Sequence, residues 1–394
     1  MSAVRPHVVF LSADSPYESF GGASIRNDCL LRLISEVADV DLVFFNRGPG
    51  PAAALTPEIP RDLRLVPVTR GRTPAWKKLS YPFRSYVVNG FSPEMASMLK
   101  AQYGGESGRQ EILWISSLGM AQYLPYARQL GYRVILDQLN IESNLLLYSS
   151  LSSWRTWHKL PYALDCRMLE SRFCRSADRT LVTSVRDATL LKGITGRVNA
   201  RVLPNMIDCG PFAAPREEGA NTFLFTGTLD YHPNLEGLDW FLERVLPTLR
   251  EKSPRGAPQI RVAGARPSAK LRRKLSDNQV ELSESPDSIA PLLREAVAVF
   301  VPLFLGGGTR LKILEAMAAG VPVVSTTKGA EGLELGNRDE ILIENEPIQF
   351  ADALLRLAGD PTLSSSLSRA GRRTAEGRFH YENFRRDIGE ILDV

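Results

Sequence analysis

The 394-residue chain is short of the residue types that build metal centres and disulfide frameworks. It holds four histidines, none in a His-pair motif, and four cysteines. Cys29, Cys166, Cys174 and Cys209 lack a C-x-x-C spacing, so they read as reduced structural thiols of a cytoplasmic protein. No metal site is expected. Long apolar runs are also missing: the longest lies near Val297–Leu305, whereas a bilayer helix needs about 20 residues. Val8–Leu11 ends at Ser12 and Asp14, and reads as a buried first strand rather than a signal peptide. An excess of one charge sign is absent as well. Forty-eight Lys+Arg against 44 Asp+Glu leaves +4, too mild for a nucleic-acid footprint. What is present is an ordinary globular composition, 44% hydrophobic and 23% charged. One hydrophobic core stops growing near roughly 250–300 residues, so more than one domain is expected.

Apolar runs alternate with helical patterns. His7–Leu11, Asp41–Phe45, Ile112–Ser116, Arg133–Leu136, Thr180–Thr183 and Ala200–Leu203 read as buried parallel strands. Ala23–Ser35 and Ala163–Arg175 read as helices between them. The segment from Leu203 to Pro215 breaks the pattern and reads as a linker. The alternation then restarts, with strands at Thr222–Thr226, Ile260–Ala263, Val280–Leu282, Val297–Leu303 and Val321–Ser325. Helices are expected over Leu235–Leu249, after an N-cap at Ser268, and over Ser288–Ala296, Thr309–Ala319 and Phe379–Val394. This is the α/β pattern of two doubly wound, Rossmann-like halves.

The stretch from Val301 to Val324 reads strand, triple glycine, helix, glycine stop, strand. Gly306, Gly307 and Gly308 let backbone approach a ligand, and the following helix start suits phosphate. Arg310 adds a cation expected in the first turn, able to grip phosphate oxygens at two points. Glu315, at i+3 from Lys312, leans toward the same helix end and suits a pair of ribose hydroxyls. Taken singly, each of these also fits a plain loop or a surface ion pair.

The ordered string Gly306-Gly307-Gly308-Thr309-Arg310-Leu311-Lys312, running on to Gly329-Ala330-Glu331-Gly332-Leu333, resembles the donor-site signature of the retaining GT-B glycosyltransferases of family 4, in their bacterial exopolysaccharide-type subgroup. Phe225–Asn234, Leu169-Glu170 with Cys174–Asp178, and Gly21-Gly22 resemble further parts of that family. The resemblance implies two Rossmann-like domains facing an interdomain cleft. Residues 1–205 would bind the acceptor and 206–378 the donor, with the helix at 379–394 packing back on the first domain. It implies that Glu315 binds ribose, that Thr309, Arg310 and Leu311 contact the diphosphate, that Gly227 faces the phosphates, and that Gly21 and Gly22 approach from the first domain. A nucleotide-diphosphate sugar is then a substrate, and neither cofactor nor metal is expected.

Three positions depart from the family pattern. Gly307 stands where a first acid is usual, Thr228 where an arginine is usual, and Leu139 where a histidine is frequent. Arg310, with Lys312 or Arg266, is expected to supply the missing charge. Front-face attack, with a donor phosphate oxygen taking the acceptor proton, would then need no side-chain base. Glu142 is a second catalytic candidate, or simply a helix N-terminal acid. Aromatic and basic residues mix at Trp76, Lys77, Lys78 and Arg84, and again at Trp154, Arg155 and Trp157. These suit either ordinary packed loops or a lipid-linked acceptor at the inner face of the membrane. Two other classes stay open: a non-transferring GT-B enzyme such as an epimerase, and a catalytically inactive donor-binding module. A dehydrogenase is disfavoured because Ser12–Gly22 is not G-x-G-x-x-G.

Overall fold

The computed structural model describes residues 5–17, 21–46, 59–60, 62–74, 90–103, 110–151, 154–196, 200–217, 219–253 and 259–394. The chain forms two compact units. Ala23–Pro204 and Phe384–Val394, with the N-terminal strand, form the first; Asn205–Asn383 form the second, and Gly21 and Gly22 group with it.

The first unit is a parallel α/β sheet. Its described elements are β1 (His7–Leu11), α1 (Gly22–Val37), β2 (Asp39–Asn46), β3 (Leu63–Thr69), α2 (Pro93–Tyr103), β4 (Glu111–Ser116), α3 (Leu124–Gln129), β5 (Arg133–Gln138), α4 (Glu142–Leu151), α5 (Leu160–Ser176), β6 (Arg179–Val182), α6 (Val185–Thr195) and β7 (Arg201–Val202). The strand order is β3-β2-β1-β4-β5-β6-β7, every pair parallel. Strand β3 was not expected from the sequence. Pro67 sits within it and Arg64 and Leu65 are exposed, so it lacks both alternation and a continuous apolar run; as an edge strand it tolerates the proline. Between α4 and α5, Trp154–Lys159 form a 3₁₀ turn.

The second unit holds β8 (Thr222–Thr226), α7 (His232–Trp240), α8 (Leu246–Lys252), β9 (Gln259–Gly264), α9 (Ala269–Asp277), β10 (Glu281–Glu284), α10 (Ala290–Arg294), β11 (Ala296–Val301), α11 (Leu311–Ala318), β12 (Val323–Ser325), β13 (Leu342–Ile343), α12 (Pro347–Gly359) and α13 (Pro361–Thr374). Its order is β10-β9-β8-β11-β12-β13, again parallel throughout. The single helix expected over Leu235–Leu249 is instead α7, a π-turn over Phe241–Val245, and α8. Pro247 explains the change, because it has no N–H to bond back along a regular helix. Ser268 caps α9 as expected, its side chain accepting from the Leu271 N–H. Stacked Phe241 and Phe300, 4.1 Å apart, sit in the core of this unit.

Chain order 3-2-1-4-5 at the heart of each sheet is the Rossmann arrangement, so the fold class is the one the sequence predicts. The last helix, α14 (Arg385–Leu392), belongs to the first unit and starts later than the sequence pattern suggested, after a 3₁₀ turn over Tyr381–Phe384. Arg133 and Arg179 donate to the carbonyls of Glu390, Ile391 and Leu392 and pair with Asp393. These cations satisfy the open end of a helix, where its dipole is negative. All four cysteines are buried free thiols. Among the described residues, no helix is long and apolar enough to cross a membrane.

Candidate functional site

In an open α/β sheet, ligands bind beyond the carboxyl ends of the strands where the strand order reverses. In the second unit that place lies between β8 and β11. Gly227 follows the first strand, and the string Gly306–Gly308 follows the second. Gly227 adopts φ +149° and donates its N–H to the Ala263 carbonyl at 3.0 Å. A Cβ there would stand 2.7 Å from Lys312 Nζ and 2.8 Å from Asn234 Nδ2. Both conformation and space therefore demand glycine.

Lys312 projects from the first turn of α11 to this loop. Its Nζ donates to Asn234 Oδ1 at 3.0 Å and lies 4.1 Å from the centroid of the Phe225 ring. Asn234 is itself fixed, its amide donating to the Thr228 carbonyl at 2.8 Å. Among the described residues the ammonium thus has a ring face and an amide oxygen, but no acidic hydrogen-bond partner. Burial pulls the Lys312 amine down to about 7, helped by the charge of Arg310 and opposed by Glu315. Burial likewise pushes Glu315 up to about 7, opposed by Lys312. Two partly buried groups of opposite sign, one turn apart on α11, therefore both titrate near neutrality.

The glycine string is a built loop. Gly306 and Gly308 take φ +120° and +66°. The guanidinium of Arg310 donates to the carbonyls of Gly307 and Gly308, the latter at 2.6 Å. Here the sequence expectation needs correction. Helix α11 begins at Leu311, and Arg310 is its N-cap rather than a first-turn residue. The glycines bring two carbonyls beside its side chain, and a charged donor satisfies them. Thr309 is buried; its carbonyl accepts from Asn205 Nδ2 at 3.2 Å, and among the described residues its Oγ1 has no hydrogen-bond partner.

Arg266 sits in the loop after β9 and forms a two-point pair with Asp230, at 2.7 and 3.2 Å, so its charge is matched at the surface. Gly21 takes φ +134°, and Gly22 opens α1. Glu142 is the first residue of α4, an acid in its first turn. Next to it, Ser143 binds the buried carboxyl of Glu170, which burial pushes up to about 7. Trp76, Lys77, Lys78 and Arg84 lie outside the described residues, as do the side chains of Trp154 and Arg155. Trp157 is exposed.

Sequence reasoning assigned no role to Phe225, Asn234 or Asn205. Each asparagine follows a proline, in Pro233-Asn234 and Pro204-Asn205, and that pairing is the one local signal they carry.

Residues 220–360 match the sequence profile of the family described as Glycosyl transferases group 1. A protein of the cps region of Klebsiella pneumoniae, described as an uncharacterized 44.6 kDa protein, is 31% identical over 140 residues. That match covers 34% of this chain and 36% of the Klebsiella protein, about a third of its length. Sucrose-phosphate synthase from Thermosynechococcus elongatus superposes with a TM-score of 0.75 at 16% identity, covering 99% of this chain and 98% of the other. HepE of Anabaena, in complex with UDP and glucose, superposes with a TM-score of 0.70 at 13% identity, covering 98% and 99%. The chain thus has the GT-B fold, and the stretch that matches the group 1 glycosyl transferase profile lies in its second unit.

Proposed function

We propose that the chain transfers a glycosyl group from a nucleoside diphosphate sugar to a saccharide or lipid-linked saccharide. The observation that carries this reading is the seat of Lys312. A cation held by a ring face and an amide oxygen, cradled by Phe225, Asn234 and Gly227 beside the N-terminus of α11, is built for a diphosphate. Glu315, one turn along the same helix, would take the ribose hydroxyls. Arg310 holds the glycine loop in shape and adds positive charge beside it.

In the reaction, the bond between the anomeric carbon and the diphosphate oxygen breaks, and the diphosphate leaves with the electron pair. The acceptor oxygen bonds to the anomeric carbon on the same face, with retention, and its proton passes to a phosphate oxygen. Fixed N–H groups and Lys312 stabilise the departing charge, which is the term that lowers such barriers most. Turnover on this reading needs no divalent cation and survives EDTA. The cps-region relative and the UDP-bound HepE structure favour uridine diphosphate sugars as the first donors to test, and bacterial polysaccharide or glycoconjugate synthesis at the cytoplasmic face of the membrane as the setting.

The test is a donor panel with nucleotide release as readout, with and without saccharide acceptors, on wild type and Arg310→Ala. Release that depends on acceptor and drops in the variant supports transfer. Donor binding with no release under any acceptor favours an inactive donor-binding module instead.

A further inference from the structure

Helices α4 and α5 carry exposed apolar side chains beyond those that pack into the core. In α4 the buried residues are Ser143 and Ser150, whereas Leu147, Tyr148 and Leu151 are exposed, Leu151 to 63%. In α5, Leu160, Leu164 and Met168 recur every four residues along one exposed stripe, the last two at 51%. The opposite side of α5 packs Cys166, Leu169 and Phe173 into the core and also buries Asp165 and Glu170, and Glu170 accepts from both the N–H and the hydroxyl of Ser143. The Ser143–Glu170 contact ties the two helices together, and a second set of apolar side chains is left outside. The 3₁₀ turn joining them adds Trp157, 65% exposed. Clustered exposure of this kind marks a contact surface.

Charge selects the occupant. From Ser143 to Leu164 there is no acidic residue, while Arg155, His158 and Lys159 lie there, and Arg167 and Arg172 are exposed farther along α5. Apolar side chains, an interfacial tryptophan and tyrosine, and cations of one sign are complementary to a lipid surface carrying negative headgroups. We infer that the α4–α5 hairpin docks the protein onto an anionic bilayer, with Leu151, Trp157 and Leu164 entering the headgroup region. This deepens the lipid-linked branch of the acceptor reading above, and its test does not depend on turnover.

The experiment is co-sedimentation with vesicles of phosphatidylcholine containing about one part in four phosphatidylglycerol. Wild type is expected to bind, less so in high salt, and weakly to pure phosphatidylcholine. The triple variant Leu151→Ser, Trp157→Ser, Leu164→Ser removes exposed side chains only, and should melt like wild type while binding about tenfold more weakly or less. Arg167→Glu with Arg172→Glu should lose binding independently. Glu315→Gln, altered in the other unit, should bind vesicles as wild type does. The inference is overturned if wild type stays in the supernatant, or if the triple variant sediments unchanged. A wild-type dimer by light scattering that the triple variant dissolves would also overturn it, since the face would then join two copies of the chain.

Discussion

The guanidinium of Arg26 on α1 lies against the carboxylate of Asp137 at the end of β5, with Nε–Oδ2 3.0 Å and Nη2–Oδ1 2.8 Å, and neither side chain reaches solvent. The third nitrogen, Nη1, donates to the carbonyls of Leu203 and Pro204, where the first unit hands over to the second. One arginine thus ties a helix, a strand end and the exit of the chain.

Removing one partner strands a buried charge. Arg26→Ala should cost about 3–5 kcal/mol in the denaturant unfolding of the first unit. The double variant Arg26→Met with Asp137→Leu should cost much less than the two single losses added together. A strictly additive cycle would show that the pair does not act as one unit.

Donor affinity should be bell-shaped in pH. Glu315 must be ionised to accept ribose hydroxyls, so protonation below about 7 weakens binding. Lys312 must be protonated to meet the diphosphate, so deprotonation above about 7 weakens it too. On each limb log Kd changes by up to about one per pH unit, one proton being linked. Titration calorimetry with UDP-glucose in buffers of different ionisation enthalpy reads both limbs. Lys312→Gln should erase the alkaline limb, and Glu315→Gln the acid one.

The proposed ribose contact gives a second handle on Glu315. A hydrogen bond to a charged group is worth about 1.5–3 kcal/mol, so Glu315→Gln should weaken UDP binding roughly 10- to 100-fold. The same variant should discriminate less against 2′-deoxy-UDP than wild type does. Unchanged discrimination would place the sugar hydroxyls elsewhere.

Two glycines should fail differently. At Gly264 an added Cβ would lie 1.8 Å from the Gly227 carbonyl, backbone against backbone, so Gly264→Ala should destabilise the second unit. At Gly227 the first obstacles are the ends of the Lys312 and Asn234 side chains. Gly227→Ala should therefore keep the fold, pay about 1–3 kcal/mol for its φ, and lose donor binding. Thermal melts with and without UDP separate the two outcomes.

Much of this was legible in the sequence. Continuous apolar strands between helical patterns gave both sheets, because parallel strands are covered on two faces and leave a clear trace. The glycine string was readable because positive-φ turns need glycine at set places. Strand β3 was invisible, since Pro67 and exposed residues erase the periodic signal of an edge strand. The turn of Arg310 onto Gly307 and Gly308 was invisible as well, because it depends on which carbonyls two positive-φ glycines leave beside it. The seat of Lys312 needs Phe225 and Asn234, brought together with it only by the pairing of β8 with β11. Tertiary partners of that kind have no local pattern.

The return of α14 sets an order of events during synthesis. Arg133 and Arg179 emerge from the ribosome long before Glu390, Ile391, Leu392 and Asp393, the groups that receive their hydrogen bonds. Residues 205–383 lie wholly between, so the second unit has its entire sequence in hand while the first still waits. Domains usually finish in the order they are made. Here the first to be started is the last to be closed.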